Sequence, residues 1–171
     1  AGKVTLIVLE RGASSRLAAT FKPGDPVALM GPTGTGAHIP HNQTLLIVAD
    51  RIGATGVRAI APALKAAGNK ILFFISFRNP GEVFCRDEFE LYCDEIVWVS
   101  LDGEIKPGRA QDKSYTGDVR DALKAYANGK LGGSFRFEDL DRLYFMGGGC
   151  LVQRLRDLRH GELKNRLAKN P

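Results

Sequence analysis

The sequence predicts an α/β fold, an open parallel sheet with helices on both faces, from three observations. Leu45-Leu-Ile-Val-Ala49 is a short unbroken apolar run, the composition of a strand buried on both sides. Beyond a glycine-bearing turn over residues 50–56, Val57, Ile60, Ala61 and Leu64 recur at the i, i+3, i+4, i+7 spacing of one helix face. Gly68 then stands where a left-handed helix end is usual, and Ile71-Leu-Phe-Phe-Ile-Ser76 forms a second apolar run. Strand, glycine turn, helix and strand make a right-handed crossover with parallel strands.

The elements follow in chain order. Lys3-Val-Thr-Leu-Ile-Val-Leu-Glu10 reads as a strand, and Gly12-Ala-Ser-Ser-Arg-Leu17 as a short helix with Ser14 or Ser15 as its N-terminal oxygen. Lys22-Pro-Gly-Asp-Pro26 is a turn and Val27-Ala-Leu-Met30 a second strand. Near residue 40 the chain changes from strands and turns to alternating strand and helix, so residues 1–40 and 41–171 are separate domains. In the second, the two strands already named precede a helix over residues 83–91 and a third strand, Glu95-Ile-Val-Trp-Val-Ser100. Residues 101–116 read as a long polar loop, and residues 117–126 as a helix with Thr116 or Asp118 near its start. Arg142-Leu-Tyr-Phe-Met146 is a fourth strand, ending in Gly147-Gly-Gly149, and a terminal amphipathic helix begins near Cys150. Ligands of such a sheet bind at the carboxyl ends of its strands.

Composition sets limits. The 171 residues, 44% hydrophobic and 25% charged, suffice for one full core with a smaller appendage. No apolar run approaches the roughly 20 residues that cross a bilayer, and no signal peptide is visible. Ala1-Gly-Lys-Val enters a strand pattern at once, which suggests a fragment. Cys85, Cys93 and Cys150 are too scattered for a disulfide framework or a thiolate metal site, which suits reduced thiols in a cytoplasmic protein. His38 and His41 have no acidic or thiol neighbour and read as loop residues, so no metal is expected. The net charge of +5 owes much to Arg154, Arg156, Arg159, Lys164, Arg166 and Lys169, interleaved with leucines as on a solvated helix face. Nucleic acid is not the expected partner.

Gly31-Pro-Thr-Gly-Thr-Gly36 lacks the Lys and hydroxyl residue of an NTP-binding loop, since Ala37 and His38 follow, and an NTPase is rejected. Gly53-Ala54-Thr55-Gly56 joins strand to helix, where unpaired N–H groups attract phosphate; a purely conformational turn is the alternative. Gly147, Gly148 and Gly149 lie at the carboxyl end of another strand and would clear side chains from the same crevice. At the end of the second strand, Ser76 and Arg78 stand where a dinucleotide fold meets the adenosine ribose, and an Arg there accommodates a 2′-phosphate. They lean toward NADPH, against the alternative of an exposed arginine at a strand end.

Together these residues resemble the ferredoxin–NADP reductase superfamily, most closely its dihydroorotate dehydrogenase electron-transfer subunits and related hydrogenase and sulfide dehydrogenase reductase subunits. Gly31-Pro-Thr-Gly34 is similar to the Gly-Pro-x-Gly that closes the flavin domain, and residues 45–56 to the strand and turn that bind nicotinamide nucleotide. Phe77-Arg-Asn79, Phe84, Glu88-Phe89, Leu101-Asp-Gly103, residues 117–123 and Tyr144-Phe-Met-Gly-Gly148 resemble further family segments in order and spacing. The resemblance implies that residues 1–40 are the last part of a flavin-binding β-barrel, with Gly12, Ser14, Ser15, Gly31 and Pro32 as partial flavin contacts to FAD or FMN. It implies an NAD(P)H-dependent flavoprotein reductase, inactive as this fragment alone, that passes hydride from NADPH or NADH to flavin and on to an iron–sulfur or other redox partner. The nucleotide would lie on Arg51, Gly53, Ala54, Thr55, Gly56, Ser76, Arg78, Gly147, Gly148, Gly149 and Cys150. No catalytic residue is assigned. Three departures stand out: Asp50-Arg51 replaces the family's Gly-Gly, Gly56 its proline, and Met146 its cysteine, with Cys150 four residues later. Arg51 is expected on the phosphates, while an Asp50-Arg51 pair that crowds the crevice would instead make a docking or structural domain without nucleotide.

Overall fold

The computed structural model describes residues 4–31 and 33–167. The chain divides into two compact units, Ala1–His38 and Ile39–Pro171.

In the first unit the one regular element among the described residues is α1 (Ala13–Ala18). Ser15, not Ser14, organises its start. The Ser15 Oγ accepts from the Arg11 and Gly12 N–H groups, each at 2.9 Å, and donates to the Gly12 carbonyl at 3.0 Å. Asp25 closes the following turn by accepting from the Lys22 N–H at 2.7 Å. The expected strands over residues 3–10 and 27–30 do not form within the described residues. Alternation of apolar residues sets which side chains share a face, but a strand also needs a neighbouring backbone to pair with. None is supplied there, and Val4, Leu6, Val8, Val27, Leu29 and Met30 are exposed. Lys3 lies outside the described residues.

The second unit is built on a five-stranded sheet in which every pairing is parallel. Its strands are β1 (Thr44–Asp50), β2 (Lys70–Phe77), β3 (Glu95–Ser100), β4 (Lys113–Thr116) and β5 (Arg142–Met146), in the spatial order β4-β3-β2-β1-β5. Residues 45–49 of β1 are wholly buried because both faces of the strand are covered. On one face Leu45, Ile47 and Ala49 pack with Val57, Ala61 and Leu64 of α2 (Gly53–Ala66) and Phe89 of α3 (Arg86–Tyr92). On the other, Leu46 and Val48 meet Ala122, Leu123 and Tyr126 of α4 (Val119–Ala127) and Leu155 and Leu158 of α5 (Gly149–His160). Each fully buried Leu, Ile or Phe contributes about 1.5–3 kcal/mol, so the two apolar layers fix the helices to opposite faces. No helix among the described residues is long and apolar enough to cross a membrane.

Three local readings are corrected. The sheet has five strands rather than four, because Lys113–Thr116 pairs with β3 inside the stretch expected to be loop. A four-residue edge strand carrying one large apolar side chain, Tyr115, gives no hydrophobic run to detect. Residues 53–56 are not a turn ahead of the helix but the first turn of α2 itself. The expected helix over residues 83–91 starts late: α3 begins only after Cys85, whose φ of 48° is left-handed, and a short 3-10 turn, Pro80–Glu82, precedes it. Gly68 has the expected left-handed φ, 79°, just past α2.

Candidate functional site

The strand order creates the site. From β1 the chain builds outward through β2, β3 and β4, then returns to add β5 on the other side of β1. The crossovers therefore diverge between β1 and β5, and the crevice at their carboxyl ends is where open parallel sheets bind ligands. Asp50 ends β1 and Gly147 follows β5.

The Asp50 carboxylate sits in this crevice. The Gly53 N–H, at the first residue of α2, donates to its Oδ1 at 2.8 Å. The Gly148 N–H, at the N-cap of α5, donates to its Oδ2 at 2.9 Å. Both helix starts thus direct an unpaired backbone donor, and the positive end of a dipole, onto one anionic group. The glycines allow this approach in different ways. Gly147 has φ of 149°, and a Cβ there would lie 2.6 Å from the Asp50 carboxylate. A Cβ on Gly53 would lie 2.1 Å from the Met146 carbonyl oxygen, so the start of α2 rests directly on the end of β5. A Cβ on Gly56 would meet only the Met146 sulfur, at an ordinary 3.5 Å. Beside Gly149 there is open space.

The other nominated residues are distributed around this centre. Ala54 is buried in the first core layer, and the Thr55 hydroxyl donates to the Ile52 carbonyl at 2.7 Å. Cys150 is exposed in the first turn of α5. Ser76 is in register with Asp50, its Oγ 3.5 Å from the Ala49 carbonyl, and Arg78 is exposed just beyond β2. Arg51 turns to Glu82, with Nη1 2.6 Å from Oε1, while the other Glu82 oxygen accepts from the Arg78 N–H at 3.0 Å. Glu82 therefore supplies the anion beside Arg51. Sequence reasoning missed Glu82, because its partners come from two different loops, and it weighed Asp50 as crowding the crevice or offsetting Arg51, not as the acceptor of two helix-start N–H groups. A carboxylate three residues before a glycine that opens a helix was the available signal.

The flavin candidates Gly12, Ser14, Ser15 and Gly31 belong to the first unit, and Pro32 lies outside the described residues. The Ser15 hydroxyl is committed to closing its own turn, and Ser14 is exposed.

This parallel sheet with helices on both faces has an α/β, ferredoxin reductase-like fold. No family model matches the chain. The chain is similar to electron-transfer subunits of dihydroorotate dehydrogenase B (NAD(+)): that of Fusobacterium nucleatum is 29% identical over 128 residues, covering 73% of this chain and 47% of the relative. Among solved structures, an NADH-dependent reduced ferredoxin-NADP oxidoreductase, described in work on flavin-based electron bifurcation, superposes with a TM-score of 0.65 at 24% identity, covering 87% of this chain and 48% of that one. The C-terminal domain of a hydrogenase from Pyrococcus furiosus gives 0.53 at 19% identity, covering 80% of this chain and 95% of that one. The resemblance to the ferredoxin reductase superfamily read from the sequence therefore stands. The chain spans about half the length of the curated relatives it matches.

Proposed function

We propose that this chain is the NAD(P)H-binding module of a flavin-dependent oxidoreductase, working with a flavin domain and passing electrons to an iron–sulfur or other redox protein in the cytoplasm. The observation that carries the reading is the convergence of two helix-start N–H groups, from Gly53 and Gly148, on a single anionic group at the β1–β5 switch point. This donor set suits a pyrophosphate. Its homologues' role as electron-transfer subunits of oxidoreductases supports the same reading.

The protein's own residues would bind and orient. Gly53 and Gly148 would hold the pyrophosphate, and Gly149 would leave open space beside it. Ser76 and Arg78, one strand away, would face the adenosine ribose. When bound, the nicotinamide supplies hydride and a flavin accepts it. The names of the relatives include both NAD(+) and NADP, and the choice at this site falls to Arg78. Its guanidinium can meet a 2′-phosphate with a charge-assisted hydrogen bond worth about 1.5–3 kcal/mol, or roughly tenfold or more in affinity. Calorimetry with NADPH and NADH on the wild type and Arg78→Ala tests this. NADPH should bind more tightly, and the variant should lose the difference. Equal affinities, unchanged by the substitution, would remove Arg78 from the site.

A second reading has its own observation. Asp50 already fills the anion seat and Arg51 is held by Glu82, as in a docking or structural domain that takes no nucleotide. Failure of both nucleotides to bind at millimolar concentration, in the wild type and in Asp50→Ala alike, would favour it.

A further inference from the structure

We propose that Asp50 is a built-in competitor for the phosphate seat, so that a pyrophosphate-bearing ligand binds only by displacing this carboxylate. The inference deepens the nucleotide reading and rests on it for the identity of the ligand. Its basis is geometric. A pyrophosphate on the two helix starts needs the Gly53 and Gly148 N–H groups, and Asp50 holds both, at 2.8 and 2.9 Å. Its carboxylate also fills the space against Gly147 that the missing Cβ leaves, with only 2.6 Å to where that atom would be. Ligand and carboxylate cannot share the seat.

The competitor is part of the chain, so it cannot be diluted away. The apparent affinity for phosphate equals the intrinsic affinity multiplied by the fraction of molecules whose carboxylate has swung out. Displacement does not remove its charge, because Asp50 remains tethered at the end of β1, beside the bound phosphates. Arg51, the adjacent cation that could neutralise either anion, is engaged with Glu82 at 2.6 Å. Such a seat discriminates by charge. A monoanion offers nothing that the resident carboxylate does not already offer, whereas a pyrophosphate brings more charge and more acceptors to the same donors.

The test uses the 171-residue chain as wild type, Asp50→Ala and Asp50→Asn. Inorganic pyrophosphate, NADH and NADPH are titrated separately at constant ionic strength, with calorimetry and thermal melting as readouts. Without ligand, Asp50→Ala should melt below the wild type, because two helix-start donors lose their acceptor. With pyrophosphate, its melting temperature should rise more than the wild type's, and its affinity should exceed the wild type's by about tenfold or more, the scale of a charge-assisted hydrogen bond regained. Asp50→Asn, of the same shape without the charge, should show a smaller gain and carries the same comparison if the alanine variant does not fold. If the variants take pyrophosphate but neither dinucleotide, the competitor role stands and the nucleotide function falls. If wild type and variants bind NADH or NADPH equally well, the nucleotide function stands and the competitor role is overturned. It is overturned as well if no protein binds any of the three.

Discussion

A methyl group added at Gly53 would collide with the Met146 carbonyl, whereas one added at Gly56 would rest at ordinary contact distance from the Met146 side chain. The two alanine substitutions should therefore differ in sign. Gly53→Ala forces the start of α2 away from β5 and should destabilise the protein by about 1–3 kcal/mol, the usual cost of overpacking. Gly56→Ala replaces a helical glycine where there is room and should stabilise by roughly 0.5–1 kcal/mol. Urea unfolding of both variants measures the difference, and a loss of equal size in each would mean that α2 does not lie against β5 as described. At this scale the sequence was half legible. It marked residues 53–56 and 147–149 as belonging to one crevice, and the fold brings Gly53, Gly147 and Gly148 around Asp50. It did not distinguish a glycine needed for close packing from one with open space beside it. That depends on where the Met146 carbonyl falls, which local pattern does not contain.

Among the elements, α4 shows most plainly how a cap and an apolar face act together. Asp118 accepts from the Arg120 N–H at 2.8 Å, while Ala122, Leu123 and Tyr126 face the second core layer. The far end is fixed by the buried Glu95 carboxylate, which accepts from the Tyr126 hydroxyl and the Ser134 N–H, each at 2.8 Å. Burial works to raise the Asp118 pKa, but the Arg120 amide and guanidinium, with Arg154, outweigh it and hold the carboxyl below its ordinary value. Asp118→Ala should cost about 1 kcal/mol, within the 0.5–2 kcal/mol range of lost caps. The sign with pH follows from the lowered pKa. An unfolded Asp titrates near ~3.9, so the cap's contribution is complete above that pH and disappears as pH falls through the lower folded value. Unfolding of wild type and variant at neutral pH and in acid should show the gap closing at low pH. A constant gap would mean that the charge of Asp118 is not what caps the helix. The cap was readable only as Thr116 or Asp118, between which the structure selects Asp118, while α2 was legible from its helical spacing and α5 from its leucines interleaved with basic residues. The strand β4 was not, because its pairing with β3 depends on a partner rather than on its own residues. Nor was the left-handed Cys85 that separates the 3-10 turn from α3, since nothing in its residue type calls for that conformation.

Over the whole molecule the two units differ in what holds their backbone. In the second, residues 45–49, 71–75 and 96–98 are wholly buried and hydrogen-bonded into the sheet, so their amides should exchange only on global unfolding. In the first, the described backbone outside α1 forms no helix or strand, and its amides should exchange orders of magnitude sooner. Hydrogen-exchange mass spectrometry resolves the two, and slow exchange across residues 4–10 would show that this segment is paired after all. The sequence conveyed the α/β class because buried runs and helical spacing are local properties. Strand order was beyond it, since β5 lies beside β1 through contacts between distant parts of the chain. Those contacts include the Thr44 N–H to the Asp141 carboxylate and the Gly148 N–H to Asp50, which span 97 and 98 residues. Closing loops of that length costs more chain entropy than pairing the nearer strands, so β5 should dock after β1, β2 and β3 have paired. The crevice is therefore completed with the last strand to dock. On the ribosome, a nascent chain can have β1, β2 and β3 in place and still possess no anion seat until Gly148 has emerged and folded back.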